Sequence, residues 1–270
     1  MMRAIRGMTI SAALVLLAGT VGAQGARPLT RCPVDAVVSG TVCMDAYEAS
    51  VWRVPNATTI NRGLVTKIQQ GKATAALLAA AGATQLGTAG DDYAPCADNG
   101  QNCADDIYAV SLPGVVPSAH LTWFQAQAAC ENARKRLPTN AEWQAAVAGT
   151  PNPWPDNGTT DCNTGSVFKA VATGSRTNCK SARGAFDMVG NRDEWVADWV
   201  PRSTSCGGWA PSVDQTGDMQ CLAGAATSGE PGALLRGGGF NGTTWDGPLR
   251  VDGSYPPSFA EYFTGFRCAR

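Results

Sequence analysis

One histidine, His120, stands in the whole of this 270-residue chain. That scarcity excludes any centre built on several imidazoles, and it argues against Ser-His-Asp hydrolysis and Cys-His proteolysis alike. No C-x-x-C pair occurs, so with one histidine the usual zinc-ligand spacings have no material to work with. Charge is sparse and balanced: 21 Lys and Arg face 22 Asp and Glu, a formal net charge of −1. Nothing forms a basic stripe, which removes nucleic acid from the expected partners. A bilayer span needs about 20 consecutive apolar residues, and no segment supplies them; the most apolar run, residues 12–17, is far shorter.

What that short run does resemble is the core of an export signal. Arg3 and Arg6 precede it, the small residues 19–23 follow, and polar Gln24 comes next. The pattern predicts a signal peptide over residues 1–23 with cleavage after Ala23, and hence a secreted or periplasmic protein. No cysteine follows the apolar run directly, which argues against a lipid anchor. The remainder, residues 24–270, reads as a single domain without repeat or linker.

Ten cysteines lie beyond the signal, an even number that suits an oxidising compartment. Their spacing suggests neighbour pairs: Cys32 with Cys43, Cys96 with Cys103, Cys162 with Cys179, and Cys206 with Cys221. Cys130 and Cys268 are then left as a long-range pair, worth about 5 kcal/mol in the chain-entropy account of crosslinking. With 31 glycines, 16 prolines and 8 tryptophans, the composition predicts a loop-rich, crosslinked α+β fold with short strands and few helices.

Along the chain, residues 37–48 read as part of a β-hairpin turning at Ser39-Gly40. The alanine-rich stretch 64–81 reads as two short helices parted by Gly71. Residues 91–106 form a polar loop closed by Cys96 and Cys103; its oxygens could hold an ion, but a solvated loop explains them better. Thr122-Trp-Phe-Gln125 and Thr139-Asn-Ala-Glu142 are capping boxes, each opening a helix, with Pro138 breaking the chain between them. Ala126, Ala129, Cys130 and Ala133 give the first helix a small-residue face. Beyond Gly149 the chain reads as loop and short strand, with a Gly/Ser/Thr-rich connection reaching Glu230 and core strands at 234–240 and 265–270. Gly237-Gly-Gly-Phe-Asn-Gly242 matches G-x-G-x-x-G, but no helix follows to make a dinucleotide site, so the glycines are read as bending a strand. Asn56, Asn157 and Asn241 begin N-x-T sequons.

The densest segment is Gly184-Ala-Phe-Asp-Met-Val-Gly-Asn-Arg-Asp-Glu-Trp-Val-Ala-Asp-Trp199, where aromatic anchors, glycine turns and acidic or amide side chains crowd together. Three further segments stand with it in order: Leu121-Thr-Trp-Phe-Gln-Ala with Lys135-Arg-Leu-Pro-Thr-Asn-Ala-Glu-Trp143, Leu235-Arg-Gly-Gly-Gly-Phe240, and Gly265-Phe-Arg-Cys268. The ordered set resembles the formylglycine-generating enzyme family, also called sulfatase-modifying factor domains. The resemblance runs from about Cys32 to Arg270 and is weakest before Pro117. It implies an irregular C-type-lectin-like fold with its termini together, and it places Cys130 and Cys268 at two positions that the family bridges. It also implies structural calcium, held by the side chains of Asp187 and Glu194 and the carbonyls of Gly190 and Arg192; carboxylates converging around a glycine turn suit that oxygen-seeking ion. The competing reading has Asp187 capping a turn and Glu194 paired with an arginine such as Arg236. A second family calcium position, near Asn163 and Thr164, matches too loosely to assign.

The family's copper chemistry, by contrast, lacks its ligands. Cu(I) is soft and takes sulfur, yet no cysteine lies between Phe240 and Thr264, where the family carries its thiolate pair; the corresponding positions fall near Gly247 and Asp252. A related branch uses a three-histidine iron site, which His120 alone cannot build. A carboxylate pair for glycoside hydrolysis stays formally open, though no spacing singles one out. The expectation is therefore a secreted, calcium-stabilised binding scaffold for a protein, peptide or glycan, with copper chemistry disfavoured. Its ligand surface would carry Trp245, Arg250, Tyr255 and Phe259, of which Trp245 and Phe259 read equally well as core. The alternative is a divergent oxidoreductase of the family that modifies an exported protein or metabolite.

Overall fold

The computed structural model describes residues 29–152, 154–209, 217–242 and 244–270; the expected signal peptide and its cleavage point lie outside them. The chain begins with a hairpin of β1 (Ala36–Ser39) and β2 (Val42–Asp45), followed by β3 (Ala49–Arg53). The hairpin turns at Gly40-Thr41, one residue later than expected, because Ser39 pairs with Val42 and Gly40 takes a left-handed φ of 63°. Helices α1 (Arg62–Gln69) and α2 (Ala75–Ala80) flank Gly71. A side chain at Gly71 would overlap the Asp35 carboxylate, so the break between the helices is also a packing contact. β4 (Thr84–Leu86) and β5 (Ile107–Ser111) join β3 in a small sheet of order β4-β3-β5.

Both capping boxes form. Thr122 opens α3 (Trp123–Asn132) and Thr139 opens α4 (Asn140–Val147), each hydroxyl accepting from the N3 amide while the Gln125 or Glu142 side chain accepts from the cap amide. Ala126, Ala129, Cys130 and Ala133 are wholly buried, and that small face lets α3 lie close against β5. Five disulfides join Cys32–Cys43, Cys96–Cys103, Cys130–Cys268, Cys162–Cys179 and Cys206–Cys221, the same pairs that spacing suggests, and no cysteine is free.

The last third of the chain builds the main sheet, in the order β11-β6-β9-β10-β8-β7. Its strands are β6 (Asp193–Val200), β7 (Ser205–Trp209), β8 (Asp218–Ala223), β9 (Gly232–Arg236), β10 (Val251–Asp252) and β11 (Thr264–Phe266). Two expectations change here. The connection toward Glu230 carries β7 and β8 instead of open coil, because Cys206–Cys221 clamps an antiparallel pair whose sequence shows little apolar alternation. The strand expected over 234–240 stops at Arg236, since Gly237 and Gly238 adopt φ of 84° and 87° and turn the chain away.

One sheet face packs Trp195, Ala233, Leu235 and Phe266 against α3 residues; the other packs Val196, Leu234 and Val251 against Trp143 of α4. After β11 the chain returns to the first hairpin, where Cys43 and Arg270 exchange backbone hydrogen bonds of 2.9 Å. Lys135, wholly buried, fastens the same corner to Asp45 at 2.8 Å and Asp35 at 3.2 Å, and Arg270 pairs with Asp35 at 2.8 Å.

Candidate functional site

β6 starts inside the acidic segment that dominates the sequence, and successive side chains of a strand point to opposite faces. Asp193 and Glu194 are neighbours in sequence and therefore enter different environments, each built around one arginine.

Glu194 is sealed in. Its carboxylate receives the Arg267 Nε at 2.9 and 2.8 Å and the Trp143 indole N–H at 2.7 Å. Arg267 also donates to the carbonyls of Asp45 at 3.1 Å and Phe186 at 2.9 Å, tying the first hairpin, the acidic segment and the final strand together. Beside them, Glu48 accepts from the Arg192 amide at 2.9 Å and from the Asn191 side chain. Burial pushes the Glu48 carboxyl well above its usual range, and the negative charge of Asp187 and Glu194 adds to the rise. Asp187 is pushed up to about 7, again chiefly by burial, although the Gly174 N–H and Arg267 oppose the shift.

All four calcium residues implied by the resemblance thus gather in one buried region, but the side chains do not form an oxygen cage. Both Glu194 oxygens are engaged by Arg267 and Trp143, whereas Asp187 Oδ1 is buried without a hydrogen-bond partner. The arginine facing Glu194 is Arg267; Arg236 lies over the Trp143 ring instead, 4.5 Å from its centre. Gly190 packs so tightly on the Asn163 carbonyl that any side chain there would collide with it. Among the described residues no group of three or more His, Cys, Asp or Glu is placed to hold a metal ion.

Asp193 faces the other way, at the end of the main sheet where β6, β8, β9 and β10 come together. Arg250, just before β10, contacts Asp193 at 3.2 Å, Asp246 at 2.8 Å and Asp252 at 3.9 Å. All three carboxylates are buried, so a single guanidinium serves three acids. Burial, opposed by Arg250, pushes Asp193 up to about 6, with Asp252 adding to the rise. Asp246 goes well above the carboxylate range for the same first reason, with Asp193 adding to it. Asp246 Oδ2 is buried and accepts no hydrogen bond.

A cavity of about 210 Å3 opens over this cluster, lined by Asp193, Asp246 and Arg250 together with Asn241, Trp245, Tyr255 and Phe263. Trp245, Arg250 and Tyr255 therefore meet as the sequence suggests. Trp245 is 45% exposed, a rim residue, while Phe259 stands behind Tyr255 with ring centres 4.3 Å apart and packs on the core. Asp193, Asp246 and Phe263 join them without having been singled out by the sequence, and Asp252, expected beside a thiolate position, stands by Arg250. The two acids flanking Arg250 in sequence are the signal that could have raised them.

The glycine run shapes the cavity floor. A side chain at Gly238 or Gly242 would overlap the Asp246 carboxylate, so the glycines admit an acid instead of merely bending a strand. At Gly247, near one of the expected thiolate positions, any side chain would overlap Asp218. His120 is remote in role: its backbone amide bonds to the Glu261 carbonyl at 3.1 Å.

With this geometry, the chain's relatives can be weighed. Residues 62–270 match the family described as the sulfatase-modifying factor enzyme 1-like domain. The chain belongs to that family, and its architecture is an irregular, disulfide-stapled α+β fold. The hercynine oxygenase of Mycobacterium tuberculosis is 30% identical over 160 residues, covering 52% of this chain and 35% of that protein. The serine/threonine-protein kinase pkn1 of Chlamydia caviae is 33% identical over 85 residues, covering 31% of this chain and 14% of its own length. The chain thus spans about a third or less of the curated relatives it matches. Among solved structures, the Major Tropism Determinant I1 variant aligns with a TM-score of 0.48 at 17% identity, over 90% of this chain and 54% of its own. PvdO from Pseudomonas aeruginosa aligns with a TM-score of 0.39 at 17% identity, over 87% of this chain and 82% of its own.

Proposed function

We propose that this chain is an exported member of the family that binds a ligand in the cavity at the end of its main sheet, without copper-dependent thiol oxidation. The observation that carries the reading is the chemistry of that cavity. Carboxylates, one arginine and aromatic rings line it, and all ten cysteines are spent in disulfides elsewhere. Such a wall offers charge and aromatic recognition but no sulfur for a soft metal. The five disulfides, and the absence among the described residues of a helix long and apolar enough to cross a membrane, support export. The deciding assay incubates the purified protein with Cu(I) and a cysteine-containing sulfatase peptide and follows the peptide by mass spectrometry. No conversion of thiol to aldehyde is expected; conversion overturns the reading.

Calcium belongs to the same proposal as a structural ion beside Asp187 and the carbonyls of Gly190 and Arg192. The unpartnered Asp187 Oδ1 supports it, but Glu194 joins such a site only by giving up Arg267. Melting temperatures in calcium and in a chelator settle the matter: a rise with calcium that Asp187→Asn abolishes supports the ion, and equal melting in both removes it.

The second reading is a divergent oxidoreductase acting on an exported protein or metabolite, favoured by the likeness to proteins named as oxygenases. Metal analysis of the purified protein separates the two. Stoichiometric copper or iron favours the oxidoreductase, and calcium alone favours the binding scaffold.

A further inference from the structure

We propose that the cavity over Asp193 and Asp246 takes an organic cation, an ammonium or guanidinium group, seated against Asp246 and covered by the faces of Trp245, Tyr255 and Phe263. This deepens the ligand-binding reading and rests on it.

Two independent observations carry the assignment. The first is charge. Arg250 contacts Asp193, Asp246 and Asp252, so one guanidinium stands against three carboxylates and the cluster carries an excess of acid. The second is an acceptor with nothing to accept from. Asp246 is 2% exposed, lines the cavity, and has an Oδ2 without a hydrogen-bond partner. Gly238 and Gly242 pack against that carboxylate where any larger residue would displace it, so its position is built into the loop. A buried carboxylate oxygen without a donor is costly, and a cationic ligand N–H both restores the missing bond and favours the ionised carboxylate. The aromatic wall fits the same occupant, because ring faces attract cations and cover the carbon atoms next to them. At about 210 Å3 the space suits one head group and not a folded segment. A free small amine and the side chain of a basic peptide share this chemistry.

Isothermal titration of the full chain with choline, arginine and a lysine-containing peptide, beside their uncharged isosteres and calcium chloride, tests the idea. Saturable binding of a cation is expected, with the isostere at least tenfold weaker. Asp246→Asn and rim substitution Trp245→Ala should each weaken binding at least tenfold while leaving the circular dichroism spectrum unchanged. Tighter binding of the free amines than of the peptide identifies a metabolite ligand, and the reverse order identifies a basic peptide; either supports the assignment. An isostere binding as well as its cation, or calcium alone binding, overturns the cation assignment and leaves the cavity as a ligand site if Trp245→Ala still weakens the interaction. If ligands bind but both variants bind them unchanged, the cavity reading itself falls, and no binding by any probe overturns the cation assignment.

Discussion

Two clusters of acids, each served by one arginine, lie on opposite faces of the same strand and behave differently. Around Arg267, Glu194 receives three donors and the arginine is wholly buried. Around Arg250, the guanidinium side chain is 12% exposed, three carboxylates share it, and a cavity reaches them. A sealed set of charges specifies packing and joins distant segments; one that a cavity reaches leaves chemistry for a ligand. Acid and arginine content alone does not separate structure from function. Access does.

Removing each arginine breaks the contrast most directly. Arg267→Met strands Glu194 in the interior and should cost roughly 3–5 kcal/mol, read from urea unfolding. Arg250→Met should cost less, about 1–3 kcal/mol, because its acids lie beside a cavity and can take up protons. Equal losses would show that the two clusters are not different in kind.

The next effect is on pH. In the folded protein Asp246 holds its proton well above the ordinary range, and Asp193 does so up to about 6. A carboxyl raised in this way contributes stability fully below its unfolded value of about 3.9, and that contribution is lost as pH rises through the folded value. The melting temperature should therefore fall as pH rises from about 4 through about 6, and that of Asp246→Asn should fall less across the same window. Parallel curves for the two proteins would remove Asp246 from the titration.

The smallest effect sharpens the contrast. Trp245 sits on the rim, so Trp245→Ala should change stability by no more than about 0.5 kcal/mol. Its consequence should appear in ligand titration alone. A larger loss of stability would make Trp245 a packing residue instead.

Much of the framework is legible in the sequence. The capping boxes at Thr122 and Thr139, the break at Gly71 and four of the cysteine pairs each rest on local chemistry or short spacing, which a linear sequence displays; Cys130–Cys268, with a sequence separation of 138, is the pair those four leave over. The strands β7 and β8 were hidden because a disulfide and cross-strand pairing hold them, while their residues alternate poorly. The role of the glycine run was half visible. A turn could be read from it, but the Asp246 carboxylate that demands glycine lies across the loop and is brought there by folding.

The sequence by itself determined the family, the α+β class, the sulfur framework and the lack of thiolates between Phe240 and Thr264, because all of these are matters of residue identity and order. Only the tertiary structure decided that Glu194 belongs to Arg267 while Asp193 belongs to Arg250, and that Asp246 is left with an oxygen facing no donor. The physical reason is that pairing of buried charges depends on which sheet face a residue occupies and which distant segments fold against it.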